Sequence, residues 1–154
     1  MHSTLCELIA AQVLRMKIRT YSELRRYDTF VDRFNYLKLE GAVGRDTFGF
    51  DRYLNQILYN MPRWKRSRDK VIIRDEGCDL GIADREIPDK TIIIVHHMNP
   101  ITLEDVKLMR PEIFDPEFLI TTVLRTHNGI HYGGIESVNT GPVERRRNDT
   151  IPWR

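Results

Sequence analysis

Four of the five histidines fall into two groups, the adjacent pair His96-His97 and the pair His127 and His131, four residues apart. On a strand, consecutive side chains point to opposite faces, so His96 and His97 cannot readily hold one ion together: one can ligate while the other faces a substrate. On a helix the opposite holds, because residues at i and i+4 lie one turn apart on one face, and His127 and His131 can converge on one metal. These spacings allow three imidazoles around a divalent ion, with a fourth left free to act as a base. A zinc peptidase would need Glu beside the first helical histidine; Asn128 stands there instead, which argues against peptide hydrolysis.

Those histidines need a strand, a second strand and a helix to carry them. Thr91-Ile92-Ile93-Ile94-Val95-His96, bracketed by Pro88 and Pro100, is the strongest β signal in the chain. Thr102 and Asp105 cap a short helical piece to about Met109, and Pro111 and Pro116 then enforce a loop. Leu119 to Val123 is a second strand candidate, and Thr126 reads as the N-cap of a short helix ending at Gly133 and Gly134. Upstream, Leu5, Leu8, Ile9, Val13 and Met16 recur at helical intervals. Thr20 with Glu23 reads as a capping box, and Thr29 with Asp32 as a weaker one, ahead of the apolar pattern Phe30, Phe34, Leu37 and Leu39. The glycine-rich stretch 41–49 lacks the Lys-Ser/Thr ending of a phosphate-binding loop. Phe50 to Tyr59 is helical in pattern, and Pro62 opens a further helix that carries Trp64 and closes with Val71-Ile72-Ile73.

The chain has 154 residues and a mass of 18.2 kDa, about one domain, with 41% hydrophobic and 30% charged residues. No apolar run approaches the roughly 18 residues needed to cross a bilayer, and no signal-peptide template is met. Cys6 and Cys78 make neither a disulfide framework nor a four-cysteine zinc site, which fits a reducing, cytoplasmic setting without membrane attachment. The net charge of +2 hides an uneven distribution: Arg63, Lys65, Arg66, Arg68, Lys70 and Arg74 face one acid, Asp69, and Arg145, Arg146 and Arg147 form a second cluster. Such clusters are candidate phosphate contacts, although a basic helix face is more often simply solvated.

The run Arg68…Ile72-Ile73-Arg74-Asp75-Glu76-Gly77-Cys78, then Val95-His96-His97-Met98-Asn99-Pro100, then Asp115-Pro116-Glu117-Phe118-Leu119-Ile120, then Thr126-His127-Asn128-Gly129-Ile130-His131 resembles the HNH endonuclease motif over about Pro62 to Gly134. The flanks FNYLKLEG, TFGFDRYLNQILY and NDTIPWR resemble small HNH proteins of phages and prophages. The resemblance implies an α+β fold: a ββα-metal core at 62–134, a helical N-terminal extension at 1–61 packed on it, and a surface tail at 135–154. It implies one divalent ion (Mg²⁺, Mn²⁺, Ni²⁺ or Zn²⁺) held by His96, His127 and His131, with His97 as general base. DNA is the implied partner, with Lys65, Arg66, Arg68 and Arg125 as candidate contacts and products carrying 5′-phosphate and 3′-hydroxyl ends. The alternative is a catalytically degenerate DNA-binding protein, or one associated with phage packaging proteins, whose metal is structural. Two departures stand out. Cys78 meets Gly81, and Val123 and Thr126 fall where a second cysteine pair would complete a structural zinc site, so hydrophobic packing is expected to hold the fold. The family's middle asparagine falls at Phe118. Either Asn99 or Asn128 substitutes, leaving Phe118 as a core aromatic, or the alignment shifts by a few residues, or catalysis is impaired.

Overall fold

The computed structural model describes residues 17–39 and 52–138. The Leu5–Met16 pattern, the glycine-rich stretch 41–49, the Arg145–Arg147 cluster and the tail's last dozen residues lie outside the described residues. Helices α1 (Tyr21–Leu24), α2 (Phe30–Leu37), α3 (Arg52–Asn60) and α4 (Pro62–Arg74) precede a two-residue ladder of β1 (Cys78–Asp79) and β2 (Arg85–Glu86). Strand β3 (Ile93–His97), helix α5 (Leu103–Lys107), strand β4 (Leu119–Val123) and helix α6 (Leu124–Tyr132) follow. The mixture of helix and strand is the expected α+β class. Among the described residues, no helix is long and apolar enough to cross a membrane.

Strands β3 and β4 pair antiparallel, with His96 opposite Ile120 and His97 opposite Leu119. The β-branched run favours the extended backbone, and its alternation sends partners to opposite layers. On one side Val95 and Leu119 pack with Leu58, Trp64, Val71, Val106, Ile113 and Phe114. On the other, Ile120 packs with Ile130 of α6 and with Leu24, Phe34, Leu37 and Leu80. The hairpin is therefore a middle layer, which is why four successive β4 residues, Leu119 to Thr122, are all buried.

Helix α4 starts with Pro62 in its first turn and turns Trp64, Ser67 and Val71 inward. It ends where Glu76 and Gly77 take positive φ of 54° and 69°, a conformation that costs glycine little and stops the helix. At α5 the reciprocal capping box of Thr102 and Asp105 forms as expected, but the helix ends at Lys107, short of Met109. The Thr20 hydroxyl accepts from Glu23 N–H, whereas the Glu23 carboxylate goes to Lys17 and the Tyr36 hydroxyl, leaving only half of the expected box.

Three expectations need correction. The surface tail does not begin at residue 135, because the 3-10 turn Ile135–Val138 buries Val138 in the same core cluster as Ile130, with Ile135 packed against it. Thr126 is not the N-cap of α6: the helix starts directly from β4 with Val123 at its cap, and the Thr126 hydroxyl donates to buried Asp79 instead. Nor does hydrophobic packing alone replace the missing zinc site. Buried carboxylates tie the strands: Asp75 accepts from Thr121 N–H and Arg74, and Asp79 accepts from Gly81 N–H and Val123 N–H. Buried Arg33 on α2 likewise donates to the Tyr27 and Leu80 carbonyls and pairs with Asp84, fixing the N-terminal helices to the β1–β2 turn.

Leu119 is fully buried opposite His97, so Leu119→Ala should lower unfolding free energy by about 2–5 kcal/mol, whereas Leu124→Ala on the exposed side of α6 should stay within about 0.5 kcal/mol. Chemical denaturation of the two variants checks this ordering.

Candidate metal centre

His96 points from β3 toward α6 and is 1% exposed. Because α6 leaves β4 without a loop, its first two turns lie against that face, and His127 and His131 stand on consecutive turns beside His96. The ring centroids are 5.1 Å apart for His96–His127, 4.9 Å for His96–His131 and 4.5 Å for His127–His131. One ring nitrogen from each can be chosen so that all three lie within 4.8 Å of one another. Nitrogens bound at 2.0–2.1 Å around a tetrahedral ion would be about 3.3 Å apart, so the three rings would have to draw closer to share one.

The donor chemistry fits a metal. His96 Nε2 and His131 Nδ1 are buried and have no hydrogen-bond partner. A buried polar atom without a partner costs roughly 1–3 kcal/mol, which coordination would offset. His127 Nδ1 lies 3.3 Å from Asn128 Oδ1, which can only accept, so Nδ1 carries the proton and Nε2 keeps its lone pair. Burial, reinforced by charge on His131 and His127, holds His96 well below the usual imidazole range. Burial also pushes His131 down to about 4, with His127 charge adding to the effect, and lowers His127 against the opposing Asn128 bond. All three are neutral at physiological pH, the form in which an imidazole can bind a metal.

His97 sits on the opposite side of the strand. Its ring stacks on Trp64 at a centroid distance of 4.9 Å and an interplanar angle of 22°, and Nε2 donates to the Ile113 carbonyl at 3.0 Å. A carbonyl cannot donate, so Nε2 carries the proton and Nδ1 bears the lone pair of the neutral ring. Burial lowers its pKa to about 4, against the raising effect of the Ile113 carbonyl. The ring lines a cleft of about 310 Å³ together with Asn99, Ile101, Arg110, Ile113 and Phe118.

The expected substitute asparagine is not there. Asn99 accepts from Arg19 N–H at 2.8 Å and donates to the Arg19 carbonyl at 2.9 Å, fastening the described N-terminal segment, while Asn128 stands beside His127. Neither holds His97; the Ile113 carbonyl and the Trp64 face do. Phe118 is likewise no core aromatic between strand and helix. It ends the turn Pro116–Phe118 ahead of β4 and is only partly buried in the cleft wall. Backbone contacts of this kind leave no mark in a residue pattern, and Trp64 carries no signal beyond its place on a basic helix.

The candidate DNA contacts remain surface groups. Lys65, Arg66 and Arg125 are exposed, and Arg68 is partly buried and lies 3.6 Å from Asp69. Arg63 and Arg74 have structural tasks, the first over the Phe114 ring and the second over Tyr21 while donating to the Pro116 and Leu119 carbonyls. Comparison of the chain with protein-family models, curated proteins and solved structures gives no match.

Two outcomes follow from this geometry. Histidines whose folded pKa is depressed contribute stability that is present above the unfolded value of 6.5 and is lost as pH falls through about 4. The metal-free protein should therefore weaken from pH 7 to pH 4, His97 and His131 accounting for roughly 3 kcal/mol each. Denaturant midpoints across that range measure it, and a flat curve would contradict it. In calorimetric titration with Zn²⁺, His96→Ala should lose binding, whereas His97→Ala should keep it because its ring faces the other layer.

Proposed function

We propose that the protein is a metal-dependent DNA endonuclease of the HNH type that hydrolyses phosphodiester bonds. The observation that carries this reading is the division of labour along β3: His96 joins His127 and His131 in a cluster with unpartnered buried nitrogens, and His97 is fixed on the other face with its Nδ1 lone pair unprotonated. The order strand, strand, helix and the motifs quoted above support the same reading.

A divalent ion, when bound, supplies neutralisation of charge on the scissile phosphate and the leaving oxygen. His96, His127 and His131 would hold it, and an all-imidazole set suits Zn²⁺ or Ni²⁺ better than Mg²⁺, which prefers oxygen ligands. His97 accepts the proton of the attacking water at Nδ1. The Trp64 stack and the Ile113 bond keep that ring from turning, and the Ile113 carbonyl favours the imidazolium formed. A phosphate anion arriving beside the ring raises its proton affinity from the depressed value of the substrate-free state. Lys65, Arg66, Arg68 and Arg125 would meet backbone phosphates away from the reacting atoms. Phage encoding, action in the host cytoplasm and 5′-phosphate products rest on the resemblance.

One observation favours a second reading. Phe118 stands where the family has its orienting asparagine, and neither Asn99 nor Asn128 takes its place at His97. On that reading the protein binds DNA, or serves with phage packaging proteins, and its metal is structural.

Supercoiled plasmid incubated with the protein and Mg²⁺, Mn²⁺, Ni²⁺ or Zn²⁺, with and without chelator, separates the two. Nicked or linear product that depends on metal and disappears in His97→Ala is expected. Intact plasmid under every metal, with metal binding retained, would leave the second reading.

A further inference from the structure

Helix α6 carries two of the three clustered imidazoles, yet its own N-cap residue, Val123, provides no side-chain hydrogen bond to the first turn. Another element ties down this end of the helix instead. Asp79, at the end of β1 and 2% exposed, accepts from Val123 N–H at 3.1 Å and from the Thr126 hydroxyl at 2.7 Å through one oxygen, and from Gly81 N–H at 2.9 Å through the other. Gly81 is needed for that approach, since a Cβ there would lie 2.5 Å from Thr126 Cγ2 and 3.2 Å from Asp79 Oδ1. Gly81, Val123 and Thr126 are also three of the four positions at which a structural zinc site would have been completed.

We propose that Asp79 is the positioning residue of the imidazole cluster: its buried carboxylate anchors the first turn of α6 to the β1 turn and so fixes where His127 and His131 stand relative to His96. The inference rests on the reading of those imidazoles as a metal centre, and adds the group that preorganises it. A carboxylate suits the site, because Gly81 N–H, Val123 N–H and the Thr126 hydroxyl all donate to it, and these bonds oppose the rise in pKa that burial causes. An asparagine would turn its NH₂ toward either Gly81 N–H or the Val123 and Thr126 donors, whichever way the amide lay.

The test uses the full chain, with Co²⁺ as probe and its visible absorption as readout, alongside backbone hydrogen exchange without metal. In Asp79→Asn, a cooperatively folded protein should show faster exchange at Val123 and in the first turn of α6. Its Co²⁺ dissociation constant should rise on the order of 10-fold, with an altered absorption band. Thr126→Val, which removes one hydrogen bond at nearly constant volume, should move both readouts part of the way, and Thr126→Ser should restore them. Val106→Ala, in the other core cluster, should lower the melting temperature while leaving the Co²⁺ band unchanged. Wild-type exchange and a wild-type band in Asp79→Asn would overturn the proposal, as would an equal loss of Co²⁺ affinity in Val106→Ala. Should Asp79→Asn fail to fold, Thr126→Val decides: unchanged readouts refute the anchor. If the wild type takes up no Co²⁺, it is the metal reading that fails, and exchange at Val123 still decides whether Asp79 holds the helix.

Discussion

Antiparallel pairing of β3 with β4 places His96 opposite Ile120 and His97 opposite Leu119, sending two consecutive imidazoles into two different layers. The rest of the architecture depends on this register. A slip by one residue would exchange the two faces, driving His97 toward α6 and His96 against Trp64. Core packing forbids the slip, because Val95 and Leu119 belong to one apolar cluster and Ile120 to the other. The same packing that makes the hairpin a buried middle layer thus assigns the two histidines their separate environments.

Burial then sets the chemistry. Taking imidazoles out of water disfavours the charged form, so His96, His97, His127 and His131 all hold their protons more weakly than free histidine. For the three that cluster, neutrality is the state in which they can ligate. For His97, the Ile113 carbonyl selects the tautomer with the lone pair on Nδ1. The unpartnered nitrogens of His96 and His131 are a cost carried by the metal-free fold, and that cost is offset elsewhere by well-satisfied polar groups such as Asp75, Asp79 and Arg33.

Much of this was legible in the residue pattern because it follows from local periodicity. The β-branched run announced β3, the i, i+4 spacing placed His127 and His131 on one helix face, and Thr102 with Asp105 marked the start of α5. What escaped depends on contacts between distant residues. The β1–β2 ladder is two residues long and has no alternation to read. Thr126 looks like an N-cap in sequence and is claimed by Asp79, 47 positions away. Asn99 looked available to orient His97 and is spent on the backbone of Arg19, 80 positions away. The Ile113 carbonyl that does orient it belongs to a backbone group every residue type carries.

The central claim is that His96, His127 and His131 close on one ion. X-ray absorption at the zinc edge of the protein loaded with one equivalent of Zn²⁺ tests this directly, since imidazole rings give a characteristic multiple-scattering pattern beyond the first shell. The expected spectrum fits three imidazole nitrogens at about 2.0–2.1 Å with a light atom completing the shell. A shell of oxygen ligands with one imidazole or none would contradict the account.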